Sequence, residues 1–414
     1  MSQAVIITIG DELLIGQVID TNSAWMAQEL NKAGIAVKRR VAVGDKWDEI
    51  WRALDEESQQ ASIILITGGL GPTADDITKP LLCDYFGGKL VVDEGAKQNV
   101  IDIFTRLKRP IIDRNLKQAE VPDVCTVIPN KRGTAPGMWF EKEGRVYVSM
   151  PGVPHEMKGM MTDVVIPKLA QQFTLPHITH RTLLTAGVGE SFLAELLMGF
   201  ESQLPAHIKM AYLPNYGLVR LRLSATGQDA TALEQEVQAQ FDELQRITAP
   251  YLVTNQDEPM EKVVARLLMQ KNATLATAES CTGGYMAHLI TASPGASAFY
   301  KGSVVSYSNE IKEKLLGVSP DTLAAEGAVS EGTVRQMVAG ALQALGTDYA
   351  IAVSGIMGPD GGSAEKPVGM VWIAVGNAEQ IVAKQFNFRF DRTKNVQLTA
   401  MNGFDMLRRF LLEA

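Results

Sequence analysis

The residues best suited to chemistry in this 414-residue chain sit in short turns that follow apolar runs. Ser280, in Glu279-Ser280-Cys281-Thr282-Gly283-Gly284, follows a strand-like run and precedes a helical one. A nucleophile on a strand-to-helix turn is exposed, and the turn's backbone N–H groups can line an oxyanion hole. A serine still needs a base. His288 falls on the following helix, where a histidine is ordinarily a satisfied face residue. The better partner is Lys312, because a desolvated lysine can act as a general base, although most lysines on amphipathic helices are solvated. Cys281 is a rival nucleophile, but a cysteine beside a buried strand is usually just small and apolar. The loop Ser354-Gly355-Ile356-Met357-Gly358-Pro359-Asp360-Gly361-Gly362 ends another apolar run and can meet Ser280 at the same sheet edge. Tyr307 can relay or donate a proton, Ser297 is a rival nucleophile or substrate ligand, and Arg392 is a candidate phosphate clamp.

Three earlier loops carry a different chemistry. They are Gly10-Asp11-Glu12, Gly68-Gly69-Leu70-Gly71-Pro72-Thr73-Ala74-Asp75-Asp76 and Pro151-Gly152-Val153-Pro154-His155-Glu156. Glycines let the backbone approach a phosphate, and the helix N-termini behind them favour anions. Acidic residues beside a phosphate call for a divalent cation, so Asp11, Asp75, Asp76 and Glu156 are the candidate metal ligands. Taken singly, each loop is as readily explained by turn glycines and helix-capping aspartates; three together at strand ends are harder to dismiss. None contains a Walker A or dinucleotide fingerprint.

The elements that must position these residues follow from periodicity. Val5–Ile9, residues 37–43, Ile63–Thr67 and residues 146–149 read as buried strands, with helices over residues 24–33, 47–57 and 75–86, as expected of an α/β domain with crossover helices. Its boundary falls near residue 172. A small α+β module follows, with strands over residues 181–185 and 218–223 and helices over 191–200 and 230–246. After a linker over residues 254–259, the α/β rhythm resumes with helices over 261–270, 285–291 and 393–412. Strands are expected there over residues 274–278, 304–307, 349–353, 370–375 and 383–390. The expected domains are therefore 1–172, 173–256 and 257–414.

Composition fits such a fold: 46% hydrophobic and 21% charged residues support a buried core in each domain. A net charge of −8 counts against direct binding to nucleic acid or anionic membranes. The three cysteines are too dispersed for a disulfide framework or thiolate zinc site. No signal-peptide pattern opens the chain and no run of about 20 apolar residues occurs, so the expected location is the cytoplasm, without membrane association.

The motifs quoted above, with Asp20-Thr21-Asn22, Gly133-Thr134-Ala135-Pro136-Gly137, Tyr307-Ser308-Asn309-Glu310 and Gly327-Ala328-Val329-Ser330, resemble the CinA (competence/damage-inducible protein A) family over essentially the whole chain. The resemblance implies an N-terminal MoaB/Mog-like three-layer α/β domain, a KH-like middle module and a C-terminal α/β deamidase domain. It implies two activities. One is hydrolysis of nicotinamide mononucleotide (NMN) to nicotinate mononucleotide and ammonia, without a cofactor. The other is cleavage of ADP-ribose to AMP and ribose 5-phosphate with a divalent ion (Mg²⁺, Mn²⁺ or Co²⁺), with or without K⁺. A homodimer is also implied. By the same resemblance, Thr282, Gly283, Ser354 and Gly355 line the deamidase substrate site. Gly10, Asp20, Asn22, Thr67, Gly68, Gly69, Gly71, Thr73, Pro151 and Gly152 line the N-terminal one. Two other readings are an N-terminal molybdopterin-binding or adenylylating module, and an interaction protein of competence and DNA damage; the acidic charge and absence of a basic stripe oppose direct DNA binding.

Overall fold

The computed structural model of the chain describes residues 3–73, 76–215 and 217–413. They divide into two compact units: residues up to Thr179 with Ala225–Glu234, and His180–Ser224 with the residues from Gln235 onward.

The first unit is organised by a six-stranded sheet in the order Ala36–Val43, Gln3–Ile9, Ile63–Thr67, Arg145–Met150, Gly137–Lys142, Thr126–Ile128. The first four run parallel, Gly137–Lys142 runs antiparallel to them, and Thr126–Ile128 reverses again. Both faces are covered, which is why the central strands read as continuous apolar runs. Along Gln3–Ile9, Val5, Ile7 and Ile9 join one core with Ile50, Leu54 and Leu81. Ala4 and Ile6 join the other with Met26, Leu30 and Met161. The helix expected from residue 75 begins at Thr78, because Asp76 closes the preceding loop instead of entering the helix.

In the second unit a five-stranded sheet runs Tyr300–Val305, Leu275–Glu279, Tyr349–Gly355, Met370–Gly376, Ile381–Asn387. The first three strands are parallel, Met370–Gly376 runs antiparallel to them, and Ile381–Asn387 reverses again. The strand expected over residues 304–307 ends at Val305, which frees Ser306 and Tyr307 into a loop before the helix Asn309–Leu316, capped by Ser308. The last strand likewise lies earlier than residues 383–390, spanning Ile381–Asn387. The middle module forms a four-stranded sheet of Ile208–Asn215, Leu218–Gly227, His177–Ala186 and Leu252–Thr254, with helices Glu190–Gln203 and Ala230–Thr248. Its Leu184, Ala186 and Leu218 share a core with Leu275, Met286, Ile351, Phe404 and Leu407. Packing is thus continuous across residue 257. Among the described residues no helix is long and apolar enough to cross a membrane.

Candidate active sites

The parallel strands of the second unit deliver their carboxyl ends to one edge. Ser280 follows Leu275–Glu279, and its N–H donates to Val353 O at 3.0 Å, on the neighbouring strand that leads into Ser354 and Gly355. On the other side, Ser306 N–H donates to Glu279 O at 2.9 Å. The helix Asn309–Leu316 then turns Lys312 back under this edge. Its Nζ lies 3.0 Å from Ser280 Oγ, 2.7 Å from Ser306 O and 3.4 Å from Tyr307 O. Lys312 is 1% exposed, and among the described residues no carboxylate pairs with it. Burial therefore lowers its pKa, since the charged form loses hydration that carbonyl dipoles only partly replace.

Arg392 opens the terminal helix Arg392–Glu413 and donates through Nη1 to Gly358 O at 2.9 Å and through Nη2 to Tyr307 Oη at 3.1 Å. Tyr307 is 65% exposed. With its oxygen accepting from Arg392, the phenol keeps its own O–H to donate. Ser354 is buried and donates to Ala328 O at 2.7 Å, which makes it a brace for the loop after Gly327.

Two sequence candidates fare differently. Cys281 is buried and its thiol is pushed up to about 12, chiefly by desolvation, which keeps it out of nucleophilic chemistry near neutral pH. Ser297 is not brought to this edge. It lies in the turn Ala296–Ala298, just before Tyr300, and Tyr300 pairs with Leu275 at the amino end of the sheet. A five-residue strand separates it from Ser280, roughly 15 Å.

Sequence reading passed over Glu279. Its carboxylate is completely buried and accepts from Thr282 Oγ1 at 2.7 Å and from the N–H groups of Gly284, Met286 and Ala287 at 3.1, 3.0 and 2.8 Å. The hydroxyls of Thr277 and Ser303 donate to it at 3.3 Å each. An acidic residue closing a buried strand, between Ala278 and Ser280, was the available signal.

In the first unit the carboxyl ends of four parallel strands border a cleft of about 540 Å³. Gly10, Gly68, Gly69, Gly71, Pro151 and Gly152 line it. Gly68 and Gly69 have φ of 114° and 64°, and a Cβ would meet Ile9 O at 2.2 Å and Thr78 Oγ1 at 2.0 Å, so only glycine fits there. Asn22 donates to Gly152 O at 2.7 Å and Thr67 Oγ1 to Pro151 O at 2.9 Å, tying two strand ends together. Asp20, Asn22 and Thr67 face a smaller adjoining hollow of about 140 Å³. Asp20 itself caps the helix Thr21–Lys32 through Ser23 N–H at 2.9 Å.

The expected convergence of carboxylates needs correcting. Asp11 does not line the cleft; it accepts from Asp45 N–H at 3.2 Å while Asp45 accepts from Asp11 N–H at 2.9 Å. Asp76 accepts from the N–H groups of Gly71 and Thr73, both at 2.8 Å, and from the Thr73 hydroxyl. Glu156 accepts from Asn130 Nδ2 at 2.6 Å. Asp75 lies outside the described residues. Among the described residues the cleft's carboxylates are Glu12, Asp45, Asp76 and Glu156. Among the described residues no three acidic, histidine or cysteine side chains form a metal-binding group. The set suits an ion held by one or two carboxylates and completed by substrate phosphates, as Mg²⁺ commonly is.

The chain matches the model of the CinA C-terminal domain over residues 257–411, of a probable molybdopterin binding domain over 5–171, and of the damage-inducible protein CinA KH domain over 180–253. A CinA-like protein of Cytophaga hutchinsonii is 46% identical over 408 residues, covering 99% of this chain and 98% of its own. A putative competence-damage inducible protein of Acetivibrio thermocellus is 37% identical over 410 residues, covering 99% of each. A solved CinA superfamily protein from Klebsiella pneumoniae is 37% identical and covers 38% of this chain and all of its own, with a TM-score of 0.37.

Proposed function

Because the chain belongs to the CinA family, we propose that it is a bifunctional pyridine-nucleotide salvage hydrolase. Its C-terminal site deamidates NMN to nicotinate mononucleotide and ammonia. Its N-terminal cleft cleaves ADP-ribose to AMP and ribose 5-phosphate. The observation that carries this reading is the buried Lys312 amine 3.0 Å from the Ser280 hydroxyl.

Neutral Lys312 takes the Ser280 proton as Oγ attacks the amide carbon. The tetrahedral intermediate collapses as Lys312 returns that proton to the leaving nitrogen, which departs as ammonia. Water then attacks the acyl-serine ester, losing its proton to Lys312 and restoring the Ser280 hydroxyl. The oxyanion needs a donor, and the turn narrows the choice. The N–H groups of Ser280, Gly283, Gly284, Tyr285, Met286 and Ala287 are all engaged. Among the described residues the N–H groups of Cys281 and Thr282 donate to no backbone carbonyl and to no other residue's side chain, which makes them the turn's candidate oxyanion donors, and one such donor is typically worth about 3–4 kcal/mol. Arg392 holds the substrate phosphate, and the Tyr307 O–H donates to the substrate.

In the N-terminal cleft, the glycine backbone admits the pyrophosphate, and Glu12, Asp45, Asp76 and Glu156 would supply the oxygen ligands from which a divalent ion would take one or two. A divalent ion bound there would polarise the phosphoryl oxygens. The protein acts as a cytoplasmic homodimer in this reading.

The test uses the purified full chain. Ammonia release from NMN is expected to persist in EDTA. AMP formation from ADP-ribose is expected to stop and to return with Mg²⁺, Mn²⁺ or Co²⁺. Chelator-sensitive ammonia release would overturn the metal-free deamidation, and intact ADP-ribose under every metal would favour a molybdopterin-type role for the cleft.

A further inference from the structure

We propose that Glu279 is the positioning residue of the C-terminal site, holding the Ser280 turn in its reactive shape; this rests on the Ser280–Lys312 reading above. The carboxylate closes the strand Leu275–Glu279 and is 0% exposed. One oxygen, Oε2, accepts from Thr282 Oγ1, Gly284 N–H and Met286 N–H. The other accepts from Ala287 N–H and from the hydroxyls of Thr277 and Ser303. Every strong acceptor direction of the carboxylate is thereby used.

The donors fall on both sides of the nucleophile. Thr277 and Ser303 belong to the sheet, whereas Thr282, Gly284, Met286 and Ala287 belong to the turn and the helix Tyr285–Thr291. Glu279 therefore clamps the turn to the sheet around Ser280, the residue that follows it. This contact also occupies the opening of that helix with an internal anion. The substrate phosphate is thus directed elsewhere, toward Arg392. A buried carboxylate is costly unless fully bonded, so the turn and the sheet must both stay in place to satisfy it.

Glu279→Gln preserves shape but replaces one acceptor oxygen by an NH₂ group that faces three donors. A serine-reactive fluorophosphonate probe reads Ser280 presentation directly, without any assumption about the natural substrate. Probe labelling of Glu279→Gln in the full chain is expected to slow about a hundredfold, the scale of an ångström misplacement, with NMN kcat falling alike and KM unchanged. Thr282→Val, which removes a single donor, is expected to slow both by about tenfold, and Thr282→Ser to restore them. This second variant keeps the test decisive if Glu279→Gln does not fold. Labelling within twofold of the parent in a folded Glu279→Gln, or in Thr282→Val, would overturn the proposal. If labelling falls as expected but NMN is not deamidated even by the parent, the positioning role stands and the substrate reading fails.

Discussion

Both units bury a lysine near the carboxyl ends of a parallel sheet, and the two lysines behave differently. Lys79 is pulled down to about 8, mainly by burial, and its Nζ donates to Gln118 O at 2.9 Å. Lys312 is lowered by burial too, but its Nζ also reaches a serine hydroxyl on a strand-end turn. A perturbed pKa marks a buried amine; the nucleophile beside it is what makes a base. The carboxylates differ in the same sense. Glu279 is bonded so as to shape a turn whose chemistry lies in its neighbour, whereas Asp76 is bonded within its own loop and Glu156 to Asn130, both at the border of the cleft that would receive the ligand. A nucleophilic site is assembled by the protein alone. A pyrophosphate cleft is completed by what enters it.

The sharpest way to break this contrast is to remove the dyad. Ser280→Ala and Lys312→Ala should each lower NMN kcat by roughly 10⁴-fold or more, and the double variant should cost little beyond either, because the members act as a unit. ADP-ribose hydrolysis should stay within about twofold, since Ser280 and Lys312 belong to the other unit. An active Ser280→Ala beside an inactive Ser297→Ala would transfer the nucleophile role to Ser297, despite its place at the opposite end of the sheet.

A smaller effect is expected on the N-terminal side. Asp76→Ala removes an acceptor for two N–H groups and one hydroxyl of its own loop, so the glycine cradle should lose its shape along with one oxygen ligand. ADP-ribose turnover should fall on the order of a hundredfold, with NMN deamidation unchanged. Turnover that survives the substitution would show that Asp76 neither shapes nor completes the cleft.

Legibility in the sequence followed how local each signal is. The buried strands Ile63–Thr67 and Tyr349–Gly355 stand out because a sheet covered on both faces leaves an unbroken apolar run. Ser280 and Lys312 could be paired because one turn and one amphipathic helix specify them. Side-chain direction within a motif was not legible. Asp11 and Glu12 are adjacent, yet Glu12 lines the cleft while Asp11 bonds to the turn at Asp45. Asp45 was missed because its turn follows a neighbouring strand, and only the pairing of Ile9 with Val43 brings the two together. Ser297 sits 17 positions after Ser280, which sounds close, but the intervening helix returns the chain to the amino end of the sheet.

The finest distinction concerns the proton on Lys312. If burial holds its pKa below the ordinary lysine value of 10.5, the unfolded chain binds that proton more tightly than the folded one. Stability then rises with pH from the lowered folded value up to 10.5 and levels off above it, because there both states are neutral. Below the folded value both states are charged and the desolvation penalty is present in full. Lys312→Met keeps most of the side-chain volume and cannot ionise, so its stability lacks this term, while the loss of hydrogen bonds to Ser306 O and Ser280 Oγ adds an offset of its own. The melting temperature of the parent should therefore gain on that of Lys312→Met as pH is raised across the window. Other titrating groups are common to both proteins and cancel in the difference. The kcat for NMN should climb over the same limb, since only the neutral amine accepts the Ser280 proton. A melting difference that stays constant from pH 7 to pH 10.5, measured on proteins shown to be folded, would mean that Lys312 ionises like a solvated lysine, and its place as the base would be lost.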